Sequence, residues 1–195
     1  MKIGRITLVD PNAPDAKQDK LGPEVERVIA KFFFEPIQFV AEVVSNDREE
    51  LRAALIRLCD KEKCPLVLTL GGTGPLAGDF IPDISRQVFD RELPGFGEIM
   101  RYYSYERFKV TVLSRATAGV RGQSLIINFP ARPQAVKFCL KLLDEGIVEA
   151  MEQFSGVKLV LRGDEIVVPI DKYLPFLKRF RPKQDPRGDL HPMIK

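Results

Sequence analysis

A glycine-rich loop is the first feature of the sequence that could do chemistry. Gly71, Gly72, Thr73 and Gly74 directly follow a short apolar run over residues 65–70. Backbone N–H groups in such a loop can line an anion-binding site, and the threonine hydroxyl adds a donor, so we predict phosphate binding here. A tight turn between a strand and a helix is the alternative on this motif alone. No Lys-Ser or Lys-Thr pair follows the glycines, so the loop is not a P-loop.

Carboxylates follow two of the predicted strands. Asp79 and Asp83 lie four residues apart beyond the glycines, where Mg²⁺ that bridges phosphates would take oxygen ligands. The alternative is that one of them caps a helix that we predict to begin near Pro82. Asp47 follows the second strand on the same predicted edge and could meet a metal or a substrate. Its position favours a helix N-cap, with Glu50 three residues on as in a capping box.

Two arginines and one glutamate complete the candidates. Arg115, with Ser114, ends a β-rich run, and Arg132 follows a predicted strand over residues 125–129. Arginine suits bidentate contact with phosphate, whereas surface solvation is the alternative for both side chains. A rigid turn over residues 94–98 could present Glu98 at a helix start. The alternative for this residue is a first-turn acid that complements the helix dipole.

The composition excludes several other chemistries. The 195 residues include one histidine, His191, and three cysteines, Cys59, Cys64 and Cys139. Histidine-dependent serine or cysteine catalysis would rest on the Pro-rich tail, and the cysteines alone cannot complete a four-ligand zinc site. A net charge of +3 is too even for general nucleic-acid binding. With no membrane-length apolar run and no secretory pattern, we expect a cytoplasmic protein with no membrane partner and reduced thiols.

Strand and helix patterns alternate along most of the chain. The predicted strands cover residues 3–9, 37–44, 65–70 and 125–129, and the predicted helices cover 24–34, 97–108 and 133–151, with others beginning at Asp47 and near Pro82. This alternation predicts an α/β fold with a doubly wound, mostly parallel sheet and helices on both faces. Ligands then bind at the carboxyl ends of the strands. We predict a main domain over residues 1–155 and an extension over 156–195 with a hairpin and a short helix at 172–180.

Four segments, taken in order, carry a family resemblance. LTLGGTGPLAGDFIPD, DRELPGFGEIMR, VLSRATAGVRG and LIINFPARP, with IGRITLVD and QDKLGP near the start, closely resemble the molybdopterin adenylyltransferase family, MogA, and the related gephyrin G domain. The resemblance implies a MoaB/Mog-like fold, usually a homotrimer. It also implies transfer of AMP from ATP to molybdopterin, with Mg²⁺ and with release of pyrophosphate. A downstream molybdenum-insertion protein then becomes a candidate partner.

The same resemblance assigns roles to residues. Asp47 and Asp79 match the catalytic acids and are the expected Mg²⁺ ligands, although the motifs do not separate a metal ligand from a general base. The positions that match substrate and phosphate contacts are Gly71, Gly72, Thr73, Gly74, Asp10, Asp83, Glu98, Ser114, Arg115, Pro130 and Arg132. Such a site needs no histidine, because phosphoryl transfer depends mainly on positioning and charge neutralisation.

The chain departs from the family pattern at three places in the predicted pocket. Val9-Asp10-Pro11 stands where Ser-Asp-Arg is usual, Gly78 replaces a common arginine, and Ala131 replaces the glycine of Pro-Gly-x-Pro. If that glycine permits positive φ or close pterin approach, Ala131 narrows the site, while Arg132 offsets the charge missing at Gly78. These departures support an alternative, a non-catalytic molybdopterin carrier or scaffold. A second alternative is an interaction module whose basic tail recruits an acidic partner.

Overall fold

The structure is a computed structural model that describes residues 1–9, 19 and 21–162. Several predicted features lie outside these residues: Asp10, His191, the helix at 172–180 and the second strand of the C-terminal hairpin. No helix in the described part of the chain is long and apolar enough to cross a membrane.

Six strands form a single sheet. They are β1 (Lys2–Val9), β2 (Gln38–Ser45), β3 (Leu66–Leu70), β4 (Arg91–Glu92), β5 (Ala118–Arg121) and β6 (Ser124–Phe129). Their order is β2-β1-β3-β6-β5-β4. The first four strands in this order are parallel, whereas β5 pairs antiparallel with β6, and β4 pairs antiparallel with β5 at one edge. The predicted mostly parallel sheet is therefore confirmed.

Helices cover both faces of the sheet. They are α1 (Leu21–Ala30), α2 (Arg48–Ile56), α3 (Ile81–Val88), α4 (Pro94–Tyr105) and α5 (Pro133–Ser155). Successive residues of a strand point to opposite faces, and β3 is buried on both. Leu66, Leu68 and Leu70 join the core beneath α1 and α5, whereas Val67 joins the core beneath α2 and α3. A continuously apolar strand is the pattern expected at the centre of such a sheet.

Three local predictions were wrong for identifiable reasons. The first helix ends at Ala30 rather than Phe34, because Phe32 and Phe33 turn into the core. The β-rich run before Ser114 is a 3-10 turn over Lys109–Leu113, since none of the six described strands pairs with it and the Thr111 and Ser114 amides bond to carbonyls three residues back. The predicted rigid turn over 94–98 is the first part of α4, where Pro94 occupies the first helical position.

The β5–β6 hairpin and the short β4 strand were not predicted. Gly122 makes the hairpin turn with φ +54°, a conformation that favours glycine. The described part of the predicted C-terminal hairpin ends at residue 162. It forms one isolated antiparallel bridge, between Leu161 and Phe33, which lies outside the predicted hairpin.

All three cysteines are buried, as predicted for packed thiols. Burial raises the pKa of Cys59 and of Cys139 to about 12 and that of Cys64 to about 11. Because burial penalises the thiolate, these residues are poor nucleophiles at neutral pH.

Candidate functional site

Three loops meet at one edge of the sheet. β1, β2, β3 and β6 are mutually parallel, so their carboxyl ends lie on the same side. The loop after β2 carries Asp47, the loop after β3 carries the four residues Gly71 to Gly74, and the loop after β6 carries Pro130 to Arg132. The sheet therefore brings most of the predicted site residues together, as expected for an open α/β fold.

The glycine loop needs its glycines. Gly71 and Gly72 have φ values of +92° and +51°, in the region that other residues rarely adopt. A Cβ atom on Gly72 would lie 2.4 Å from Cδ2 of Leu8 on β1. The Gly71 N–H donates to the Phe129 carbonyl at 3.1 Å, and the Gly72 carbonyl accepts from the Ile81 N–H at 3.2 Å. The loop is therefore fixed both to β6 and to the start of α3.

Arg115 binds the end of this loop that is farther from β3. Its backbone N–H donates to the Thr73 carbonyl at 2.7 Å, and its Nε donates to the Gly74 carbonyl at 2.9 Å. Nη1 donates to both carboxylate oxygens of Asp83, at 2.8 and 3.0 Å, and Nη2 donates to the Asp79 carbonyl. These contacts engage most of the guanidinium, so its geometry favours positioning of the loop over direct phosphate binding.

Neither aspartate of this segment caps a helix. The N-cap of α3 is Phe80, which makes no side-chain capping bond. Asp79 lies in the preceding loop, where Oδ2 accepts the Leu76 N–H at 3.1 Å, and Asp83 is in the first turn of α3, paired with Arg115. The capping alternative is therefore wrong for both residues.

Asp47 caps α2, as predicted. Its Oδ1 accepts the N–H groups of Glu49 and Glu50 at 2.8 and 2.9 Å. The arrangement differs from a capping box, because the Glu50 carboxylate accepts from the Ser45 N–H instead of the Asp47 N–H. Oδ2 of Asp47 receives no hydrogen bond from any described residue, so the cap leaves one oxygen for a ligand.

The loops that carry the two predicted catalytic aspartates touch each other. A Cβ atom on Gly78 would lie 3.7 Å from Oδ1 of Asn46, and the Arg48 guanidinium lies 4.8 Å from the centre of the Phe80 ring. Each of these four residues is a sequence neighbour of one of the aspartates. Asn46 itself has φ +38°, a conformation that asparagine tolerates better than most residues. Sequence reasoning did not single out Asn46, although its type at the end of a strand was a usable signal.

The loop after β6 lies beside the glycine loop. The Ala131 methyl carbon is 3.7 Å from the position that a Cβ on Gly71 would occupy. Ala131 does not adopt positive φ, so of the two reasons given for a glycine at this position, backbone conformation does not apply to this chain and close pterin approach stays a prediction. Arg132 is exposed at the N-cap of α5, and its side chain has no polar partner in the described part of the chain. Among the described residues it is therefore an unpaired cation at the site edge, directly after Ala131 and close to Pro130.

Two predicted site residues, Glu98 and Ser114, make no hydrogen bond or ion pair with the described residues of these three loops. Glu98 is exposed within α4 and makes no ion pair with a described residue. The Ser114 hydroxyl accepts the Ala116 N–H at 3.3 Å. α4 approaches the same segment at Gly97, where a Cβ would lie 2.1 Å from the Ala116 carbonyl oxygen.

A cavity of about 630 Å³ opens at the other edge of the sheet, where β1, β3 and β6 begin. Two of its cationic side chains are already paired: Lys2 with Glu62 at 3.3 Å, and Arg121 with Asp60 at 2.7 Å. We therefore place the candidate site at the carboxyl edge, where the glycine loop lies with polar groups that have no partner among the described residues.

The donor set at the carboxyl edge suits Mg²⁺ better than a transition metal. Among the described residues, no group of three or more histidine, cysteine, aspartate or glutamate side chains could hold a metal ion. Mg²⁺ usually binds through one or two carboxylates and keeps its other positions for water and substrate phosphates. Two aspartates on touching loops fit that requirement.

Comparison with known proteins gives one family. A family model described as "Probable molybdopterin binding domain" matches residues 6–153. The chain is 32% identical to a molybdopterin adenylyltransferase of Helicobacter pylori over 182 residues, which cover 93% of this chain and 97% of that protein. It is 34% identical to the Haemophilus influenzae enzyme of the same name over 97% of both chains. The crystal structure of the molybdopterin biosynthesis enzyme MoaB from Thermus thermophilus aligns with a TM-score of 0.71 and 30% identity, covering 82% of this chain and 99% of that one.

Proposed function

The chain belongs to the molybdopterin-binding family of molybdenum cofactor biosynthesis, and from this premise we propose that it transfers AMP from ATP to molybdopterin. The observation that carries the proposal is the carboxyl edge of the sheet. There a constrained glycine loop runs on to Asp79, and this segment touches the loop after β2 that bears Asp47. Relatives named for this activity match the chain over nearly their whole length, which supports the same conclusion.

The proposed reaction exchanges one phosphate bond for another. A terminal phosphate oxygen of molybdopterin attacks the α-phosphorus of ATP, and the bond from that phosphorus to the bridging oxygen breaks. Adenylyl-molybdopterin forms and pyrophosphate leaves with the bond electrons. Since both reactants are anionic, the protein must align them and offset their repulsion.

Different residues align the two substrates and offset their negative charge. The N–H groups of Gly72, Thr73 and Gly74 and the Thr73 hydroxyl bind phosphate oxygens, whereas the Gly71 N–H already donates to the Phe129 carbonyl. Asp47 and Asp79 would hold Mg²⁺, which supplies positive charge to the phosphates when bound. Arg132, which has no partner among the described residues, adds a cation at the pterin side of the edge, and this offsets the missing arginine at Gly78.

Metal removal gives the first test. We expect purified protein mixed with molybdopterin, ATP and Mg²⁺ to form adenylyl-molybdopterin and pyrophosphate in equal amounts. EDTA should abolish both products, and added Mg²⁺ in excess should restore them. ATP with a methylene group between the α- and β-phosphorus should bind without forming product, because the bond that must break is replaced.

Two outcomes would contradict this function in different ways. Tight molybdopterin binding without product would identify a carrier or scaffold, the alternative that Gly78 and Ala131 support. Neither binding nor turnover would point to a different phosphate ligand. Product formation in EDTA would support the transferase activity but contradict the proposed need for Mg²⁺.

We also propose that the chain forms a homotrimer, as the family resemblance implies. An exposed apolar surface, here called the α4 surface, supports self-association. It consists of Ile99, Tyr102, Tyr105, Phe108, Val110, Val112 and Leu113. Sedimentation equilibrium should give three times the chain mass. Val112→Asp should yield monomer, because a charge would be buried, whereas Val160→Asp, at an exposed position outside the surface, should not. Monomeric wild type at micromolar concentration would contradict the proposal.

A further inference from the structure

A buried polar cluster lies among the elements that carry the candidate site. Asn128, Thr69 and Ser85 are each 0% exposed. Nδ2 of Asn128 donates to the Thr69 hydroxyl at 3.0 Å and to the Ser85 hydroxyl at 2.9 Å. Oδ1 of Asn128 has no partner in the described part of the chain. A buried amide with an unsatisfied oxygen lowers the stability of the fold compared with an apolar residue of similar size. The cluster therefore suggests a role other than stabilising the core.

The three residues belong to the three elements that present the site. Thr69 lies on β3, two residues before the glycine loop, and Asn128 lies on β6, two residues before Pro130. Ser85 lies on α3, two residues after Asp83. One asparagine side chain therefore joins both central strands to the helix that follows the glycine loop.

The two hydrogen bonds of Asn128 constrain different parts of the fold. Thr69 and Asn128 are register partners across β3 and β6, and the backbone ladder already holds these strands together. α3 has no such ladder. It packs against the sheet through Ile84 and other apolar side chains, which do not by themselves fix how the helix slides or rotates, and its hydrogen bonds to Gly72, Arg115 and Arg121 lie toward its two ends. The bond to Ser85 supplies a directional contact in the middle of α3.

We propose that Asn128 is a positioning residue for adenylyl transfer, because it fixes the register of α3 beneath the site. This inference rests on the proposed function. The connection runs from Ser85 to Asp83 along α3, and from Asp83 to Arg115, whose Nη1 donates to both oxygens of the Asp83 carboxylate. Arg115 in turn holds the carbonyls of Gly74 and Asp79. A shift of α3 would therefore move the loop that presents the Asp79 carboxylate.

Three variants separate positioning from stability. Ser85→Ala removes only the bond to α3, Thr69→Val removes only the bond between strands, and Asn128→Leu removes both. We expect Ser85→Ala and Asn128→Leu to lower kcat roughly 10- to 100-fold, since small displacements near reacting groups have effects of that order. Thr69→Val, the matched control, should lower the melting temperature comparably and leave kcat within about twofold.

Amide hydrogen exchange over residues 72–83 gives a readout that does not need turnover. Exchange there should accelerate in Ser85→Ala and Asn128→Leu but not in Thr69→Val. Equal exchange and equal kcat in Ser85→Ala and Thr69→Val would overturn the proposal and leave Asn128 a structural residue. If Asn128→Leu does not fold, the other two variants decide the matter alone. If the wild type forms no product, the exchange result still decides, so failure of the proposed function is recognised separately.

Discussion

Asp79→Asn should lower the rate of adenylyl transfer roughly 10²- to 10³-fold, the loss typical when one preorganised electrostatic group is removed. The substitution is close to isosteric, and an amide oxygen can still accept the Leu76 N–H that Asp79 now receives at 3.1 Å. The loop should therefore keep its shape while the site loses one negative charge. We expect a large fall in kcat and weaker dependence on Mg²⁺, measured by pyrophosphate release over a Mg²⁺ titration.

The control for this variant is Asp90→Asn. Asp90 also accepts one backbone N–H, from Gly122 at 2.6 Å, but it does so beside the β5–β6 turn at the other edge of the sheet. Its replacement should leave transfer unchanged. A folded Asp79→Asn protein with full activity would show that Asp79 is not part of the catalytic machinery, whatever the outcome for Asp47.

The core of the fold could be predicted from local patterns because those patterns agree with their tertiary surroundings. β3 is buried at all five positions from Leu66 to Leu70 and is apolar at all of them except Thr69, which is the pattern of a strand at the centre of a sheet. The β-branched run ending near Ser114 shows the limit of this reasoning. Val110 and Val112 favour a strand by composition, but strands require a neighbour, and β4 and β5 form that edge instead.

Only the part of the site that follows from the parallel direction of the strands could be predicted from the sequence. The common edge for Asp47 and the glycine loop follows from strand order alone. The hydrogen-bond partners of Arg115 do not follow from strand order, because they come from segments more than 30 residues away along the chain. The contact between Asn46 and Gly78 and the burial of Asn128 depend in the same way on how α2 and α3 pack. These long-range contacts decide which arginine is free to meet a ligand: Arg132 has no partner among the described residues, whereas Arg115 is engaged.

Arg115→Lys should therefore act through the loop rather than through lost phosphate contact. One ammonium group cannot donate to the Gly74 carbonyl, the Asp79 carbonyl and both Asp83 oxygens at once, as the planar guanidinium does. We expect kcat/KM for ATP to fall roughly 10²-fold, the effect of a displacement of about 1 Å near reacting groups. Amides of residues 72–83 should also exchange faster in the absence of any ligand.

Arg121→Lys is the matched control, because Arg121 also donates to both oxygens of one carboxylate, that of Asp60 at 3.1 and 2.7 Å, and to a backbone carbonyl, that of Val88 at 3.2 Å. It lies at the opposite edge, so its replacement should affect stability without affecting transfer. Asp83→Asn distinguishes the two roles of Arg115. If Arg115 positions the loop, Asp83→Asn should reproduce part of the loss and part of the faster exchange, since it weakens the pair that orients the guanidinium. If Arg115 binds ATP phosphates directly, Asp83→Asn should instead free the cation and leave ATP affinity unchanged or higher, with normal exchange in Arg115→Lys.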